Sequence, residues 1–324
     1  MQSDGNGGDF SSINRGYQSV FQYGQLSIGI VVPIEAYPQS AVPTMERHCE
    51  RVLLVESLGF SAVWLRDVPF NVPSFGDAGQ LYDPFVYLGY LAGQTSDIAL
   101  GVASAVLPLR HPAHVAKAAA SADALSGGRL LLGVASGDRP DEYPAVRMDY
   151  DDRGKRYRES FQYIRHMSDD RPVFENAYGS VARGLDMLPK PSSGKLPMLV
   201  TGGSQQTIDW IAEHADGWML YPREPEVQKQ IVTKWYEQLE CVGRGPQPVM
   251  QSLYIDLVSK GGEGASAIHL GFRSGIEYLI DHLKKLESSG VNHVALNLRF
   301  NQRDVEETVR QIADELLPHF RNST

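Results

Sequence analysis

From Leu26 onward the chain alternates short apolar runs with longer amphipathic stretches, and this alternation restricts the fold more than any other feature. A run such as LSIGIVVP (26–33) is apolar on both faces, so a strand made from it must be covered on both sides. The stretches between, TMERHCERVLLVESLGF among them, carry apolar residues at helical spacing and stop at glycine. Strand and helix in regular succession specify a parallel sheet clothed in helices.

Strands are expected at 26–33, 61–67, 98–104, 129–136, 197–201, 217–221, 250–258 and 291–298, with helices that include 155–167 and 205–214. Eight strands with seven or eight helices close a sheet into a (β/α)8 TIM barrel of the α/β class, here with insertions. An open doubly wound sheet is the alternative. The 324 residues fit a barrel of roughly 250 plus insertions. The chain then divides into an N-terminal extension, 1–24, and a single barrel domain, 25–324. The extension is polar and glycine-rich to about Asn14, where disorder is expected, and its Tyr17, Phe21 and Tyr23 are expected against the barrel floor. It lacks the charged start and apolar core of a signal peptide, so a cytoplasmic location is expected. Two Gly/Pro-rich segments, 68–84 and 172–195, interrupt the repeat and are either caps over a cavity or surface connections.

A net charge of -9 and the lack of a Lys/Arg block argue against a nucleic-acid partner, and no apolar stretch approaches the roughly 20 residues of a membrane span. A small molecule is the expected partner. Cys49 and Cys241 form no CxxC pair and are read as buried or inert thiols, and the nine histidines show no metal-binding spacing, so no metal is expected. His111, which opens an alanine-rich helix, is read as a packing or capping residue.

Three strand ends carry chemistry. In PMLVTGGSQQTIDWIAEHADGW (197–218) a strand stops at Gly202, Gly203 and Ser204 before a helix, which suits an anion such as a phosphate on free amides. The same residues also make an ordinary tight turn with Ser204 as helix cap. In LLLGVASGDRPDEY the small residues Ala135, Ser136 and Gly137 leave room beside the barrel axis, and Arg139 is a fork donor for phosphate. Asp138, Asp141 and Glu142 are read as solvated or paired with Arg139. In VWLRDVPF, Arg66 and Asp67 break an apolar run at a strand end, where they serve the site, pair with each other, or pair with Arg110. No GxSxG, GxxxxGK or GxGxxG occurs and no strand carries a lysine, so reactivity is expected to come from a cofactor.

LPLRHPAHVAKAAASADALSGGRLLLGVASG (107–137) and the 197–218 segment together resemble the bacterial-luciferase-like flavin monooxygenases, and the resemblance runs from about Leu26 to the C terminus. It implies an FMN-dependent oxidoreductase. Reduced FMN from a separate flavin reductase would activate dioxygen to oxygenate a small organic substrate, and the resemblance is compatible with a homodimer. By motif, Ala103 and Ser104 would lie beside the flavin ring and Ala135, Ser136 and Gly137 would flank it. Arg139 and Gly202, Gly203 and Ser204 would hold the phosphate, with Thr201 and Trp218 nearby. Luciferases proper carry a histidine just after the second strand, where Val68 stands here, so light emission is not expected; a general base, if needed, falls to Asp67 or Tyr254. The rival readings are a deazaflavin-dependent hydride-transfer enzyme, a non-catalytic flavin-binding protein, and a phosphate-binding barrel isomerase or lyase.

Overall fold

The computed structural model describes residues 9–259 and 264–320. Its strands are β1 (Ser27–Val31), β2 (Ala62–Leu65), β3 (Ala99–Val106), β4 (Leu130–Ala135), β5 (Phe174–Asn176), β6 (Gly179–Val181), β7 (Met198–Thr201), β8 (Gly217–Leu220), β9 (Val249–Leu257), β10 (Ser266–Ile268), β11 (Gly271–Ser274) and β12 (His293–Asn297). The helices are α1 (Arg15–Val20), α2 (His48–Ser57), α3 (Pro84–Ala92), α4 (Pro112–Leu125), α5 (Glu142–Ala145), α6 (Arg153–His166), α7 (Ile208–His214), α8 (Pro225–Cys241), α9 (Ile276–Ser288) and α10 (Val305–Gln311).

Eight strands pair in parallel in the order β1-β2-β3-β4-β7-β8-β9-β12, and β12 pairs back onto β1. The sheet is therefore a closed barrel and not an open wound sheet. The expected strand segments supply these eight. The remaining four strands form two hairpins, and the β10–β11 hairpin, which the periodicity did not reveal, extends the sheet at β9.

Alternation along each strand sends one set of side chains outward, where Ile28, Ile30, Val63, Leu65, Leu132 and Val134 meet helix residues such as Val52, Val55, Leu91 and Val115. The inward set mixes very small residues with large ones. Gly101 lies so close to the Trp64 ring that an added Cβ would sit 2.2 Å from it, and a Cβ on Gly29 would meet the His293 ring at 2.6 Å. Such pairings fill the axis with side chains.

The N-terminal residues plug the bottom. Tyr17 and Phe21 are buried against the interior set, and the Tyr17 hydroxyl donates to the Asp216 carbonyl at 2.7 Å. Tyr23 stays half-exposed, beside Phe10 and Tyr236. The expectation of disorder up to Asn14 fails for residues 9–14. Asn14 caps α1 by accepting the Tyr17 amide, and its amide donates to Asp123 and to the Leu130 carbonyl, so it is tied to the barrel. Residues 1–8 lie outside the described residues.

Other expectations change too. Helix α2 starts at His48, after the Glu35 carboxylate has taken the amides of Thr44 and Met45 and with Met45 and Arg47 in left-handed backbone. Segment 172–195 forms the β5–β6 hairpin and sits outside the barrel, Phe174 packing on Tyr163 and His166 of α6, so it is a surface element. Cys49 is half-buried and Cys241 exposed, contrary to the buried reading. His111 caps α4, accepting the Ala113 amide. Among the described residues no helix is long and apolar enough to cross a membrane, and no metal-binding cluster occurs.

His293 is fully buried at the barrel axis. Trp64 Nε1 donates to its Nε2 at 2.8 Å, so that nitrogen is bare and Nδ1, 2.6 Å from Ser27 Oγ, carries the proton. Burial pushes the imidazole down to about 3. An unfolded chain takes up this proton first, so the residue's contribution to stability is complete above about pH 6.5 and declines as pH falls toward 3. Nitrogen-15 NMR of the imidazoles should show His293 neutral and Nδ1-protonated at pH 4.5.

Candidate active site

Above this packed floor, at the C-terminal ends of the strands, lies a cavity of about 430 Å³. Small residues create the space. β3 shifts register between Val102 and Ala105, so Ala103 and Ser104 both line the cavity, and the peptide between them is cis. Ser104 Oγ bonds to Thr201 Oγ1 across the opening. Ala135, Ser136 and Gly137 supply the next wall, and Gly137 is required to be small: its φ is +80° and a Cβ would lie 2.8 Å from both the Tyr143 hydroxyl and Val106.

The turn after β7 is built differently from the expected helix start. Helix α7 begins at Ile208 with Thr207 as its cap, so Ser204 is not the cap. Gly202, Ser204 and Gln205 all take positive φ, at 53°, 43° and 59°. Successive amides in this backbone form a concave nest, a preferred cradle for anions. The Gly202 amide donates to Met219 and its carbonyl accepts from Trp218 Nε1, which fixes the base of the turn. Among the described residues, the amides of Gly203, Ser204 and Gln205 have no protein acceptor. Ser204 Oγ donates back to the Thr201 carbonyl at 2.7 Å. Left-handed backbone at two non-glycine residues costs on the order of 1 kcal/mol each and is found where a site requires it.

Arg153, which the sequence reading passed over, stands beside this turn. It opens α6, lines the cavity, and stacks 3.6 Å over the Tyr150 ring, with its buried Nε unpartnered. The next residue, Gly154, presses on Gln205 and accepts from Gln206 Nε2 at 2.8 Å, locking the start of α6 to the nest. The chain was expected to use Arg139 here. Arg139 lines the cavity, but it donates to the Asp77 carbonyl and lies 3.9 Å over the Phe75 ring, on the 68–84 segment.

Of the expected site residues, Asp67, Ala103, Ser104, Ala135, Ser136, Gly137, Arg139, Thr201, Gly202, Gly203, Ser204 and Tyr254 all line the cavity. Trp218 does not. On β8, Met219 points inward, so Trp218 points outward onto Trp235 of α8 and supports the turn from behind. Asp67 is poorly suited to act as a base: its carboxylate receives Arg110 through two nitrogens, at 2.9 and 2.7 Å, and the Val106 amide at 3.0 Å. Tyr254 is also a poor base, because burial raises its hydroxyl and leaves it a neutral donor at neutral pH.

The model of the family described as luciferase-like monooxygenase matches residues 26–304. The chain belongs to that family. An uncharacterised Mycobacterium bovis protein is 26% identical over 259 residues, covering 75% of this chain and 82% of the relative. An F420-dependent secondary alcohol dehydrogenase, solved with an F420-acetone adduct, matches with a TM-score of 0.76 at 17% identity over 92% of this chain and 100% of that one. The oxygenating constituent of 3,6-diketocamphane monooxygenase from Pseudomonas putida, solved with FMN, matches with a TM-score of 0.71 at 13% identity over 91% and 98%. At these identities the structural likeness is one of fold.

In this luciferase-like barrel a carboxyl group that the sequence reading left as solvated or paired also faces the cavity. Glu142 is 2% exposed and lines the cavity wall, and among the described residues its Oε1 has no hydrogen-bond partner. Burial first, and then the charge of Asp67, push its carboxyl up to about 6, against the opposing pull of Arg139 and the Phe70 amide. Ionisation is thus penalised in the folded state, with no penalty below about pH 4.5 and the full penalty above about pH 6. Glu142→Gln should therefore raise stability by on the order of 1–2 kcal/mol above pH 6. The gain should vanish below pH 4.5, as urea denaturation across that range will show.

Proposed function

We propose that this protein is an FMN-dependent monooxygenase that uses reduced FMN and dioxygen to oxygenate a small organic substrate. The observation that carries the reading is the nest at 202–205, with three free amides and Arg153 beside it, facing a slot lined by Ala103, Ser104 and Ala135. These residues fit a flavin phosphate and a flat ring. A Cβ on Gly203 would meet nothing nearer than 3.8 Å, and one on Gly202 only Tyr221 at 3.6 Å, so a ligand can reach the backbone.

When bound, reduced FMN would supply the two electrons that activate dioxygen. The protein's part is to bind, orient and shield. The amides of Gly203, Ser204 and Gln205 would donate to the phosphate and Arg153 would add charge-assisted donors, while the tie between Ser204 and Thr201 keeps the nest in shape. The walls beyond, with Phe75, Tyr221, Tyr254 and Leu270, limit water in the remaining space. Supply of reduced FMN by a separate reductase fits a cavity whose entrance is on the barrel's upper face.

Arg153→Met should weaken FMN binding about 10- to 100-fold, the worth of a charge-assisted contact, and leave riboflavin, which lacks the phosphate, unchanged. Flavin fluorescence quenching measures both. Deazaflavin hydride transfer is the second reading, favoured by the barrel's likeness to the F420-dependent dehydrogenase. Titration with both cofactors separates the two: preference for the deazaflavin, with no binding of FMN, would overturn the proposal.

A further inference from the structure

Across the cavity from the nest, the walls hold an arginine cluster that the protein's own acids do not neutralise. In the closed barrel β1 stands opposite β7, four strands away in either direction. Arg66 follows β2 and Arg299 follows β12, the two neighbours of β1, and Arg139 leans over from the β4 side onto the same wall. The partners of the three lie at Tyr37, Ser40, Phe75, Gly76, Asp77 and Phe300, and none is in the 201–205 turn.

Asp77 is the only carboxylate that pairs with the cluster among the described residues. It binds Arg66 at 2.5 Å and Arg299 at 3.0 Å and accepts from the Tyr37 hydroxyl at 3.3 Å. Arg139 makes no ion pair among the described residues, and its neighbours Asp138 and Glu142 offer it only distant charge. Asp67 is spent on Arg110. The hydroxyls of Tyr37 and Tyr254, both raised by burial, stay neutral donors. Among the described residues, the three guanidinium groups thus share one carboxylate in direct ion pairs.

Two donors mark where the missing charge belongs. Arg139 is 7% exposed and, among the described residues, its buried Nη1 and the Nε of Arg299 have no hydrogen-bond partner. A buried, unpaired guanidinium is strongly destabilising, and burial together with the Arg66 charge depresses the basicity of Arg139. A planar ligand anion bound between them satisfies the orphan donors in the two-pronged geometry that guanidinium favours.

We propose that Arg66, Arg139 and Arg299 receive a carboxylate group of the substrate, so that the molecule oxygenated in this site is a small organic acid. This rests on the flavin reading for the reaction but not for the binding. A phosphate of the cofactor could supply the same negative charge, and the test separates the two sources. Isothermal titration of the full chain with hexanoate and with hexanamide, each with and without saturating FMN, gives the answer. Hexanoate should bind at least 10-fold more tightly than hexanamide, and FMN should not displace it. Arg139→Met should weaken hexanoate at least 10-fold, leave FMN affinity within about twofold, and keep or raise Tm, because it removes an uncompensated buried charge. Arg139→Lys should recover part of the binding. Equal binding of acid and amide, displacement of hexanoate by FMN, or an Arg139→Met variant that loses FMN and keeps hexanoate would overturn the proposal. Hexanoate binding in a protein that ignores FMN would leave the anion site standing and remove the flavin reading alone.

Discussion

The architecture depends on how the barrel axis is filled. Trp64, His293, Met219 and Met250 are too large to face one another across eight strands unless their neighbours are nearly absent, and Gly29, Gly101, Gly133 and Ala62 provide that absence. The lower axis is therefore solid, and Tyr17 and Phe21 close it from beneath. The open volume along the axis lies at the upper end, where the inward residues become Ala103, Ser104, Ala135 and Thr201. The position of the site is thus a packing consequence before it is a chemical one.

The electrostatics of the upper end follow from the same burial. A wall with low water content turns every charge into a demand for a partner, and the structure answers in different ways. Asp67 takes Arg110 and a backbone amide and becomes a fixed strut. Asp77 gathers Arg66, Arg299, Tyr37 and the Gly79 amide, and these outweigh the burial that would raise it, so its carboxyl lies below the ordinary range. Glu142 and Arg139 are left incompletely answered, one with a raised carboxyl and one with a bare nitrogen. The unresolved demands sit in the cavity, where a ligand can meet them.

Much of this was legible in the sequence because the relevant signals are local. Runs apolar on both faces located the eight barrel strands, and glycines 127 and 128, both at positive φ, ended α4 as their position suggested. The Gly202–Gly203–Ser204 turn announced itself by composition. What escaped was non-local or conformational. Nothing in a linear pattern brings Arg299 to Asp77 over more than two hundred residues, or Arg153 to a turn fifty residues later. The helix after β7 was placed too early because Ser204 and Gln205 take left-handed backbone, which their identities do not advertise. Trp218, expected near the turn, does meet it, but from behind, because alternation turns its side chain from the cavity to the helix layer.

The irregularity in β3 has a consequence for how such a barrel can change. Two residues there span the place of one, and the strand resumes its pairing at Ala105 and Val106, whose amide is fastened to Asp67. Loss of a single residue at 103 or 104 would restore a regular period, with Val102 and Ala105 still on the outer face and one residue lining the cavity where two do now. Substitutions can reshape this wall one side chain at a time, whereas a deletion there would take away one of its two lining residues at once. A change of length in β3 therefore alters the cavity wall itself, and one in the loops above leaves that wall in place.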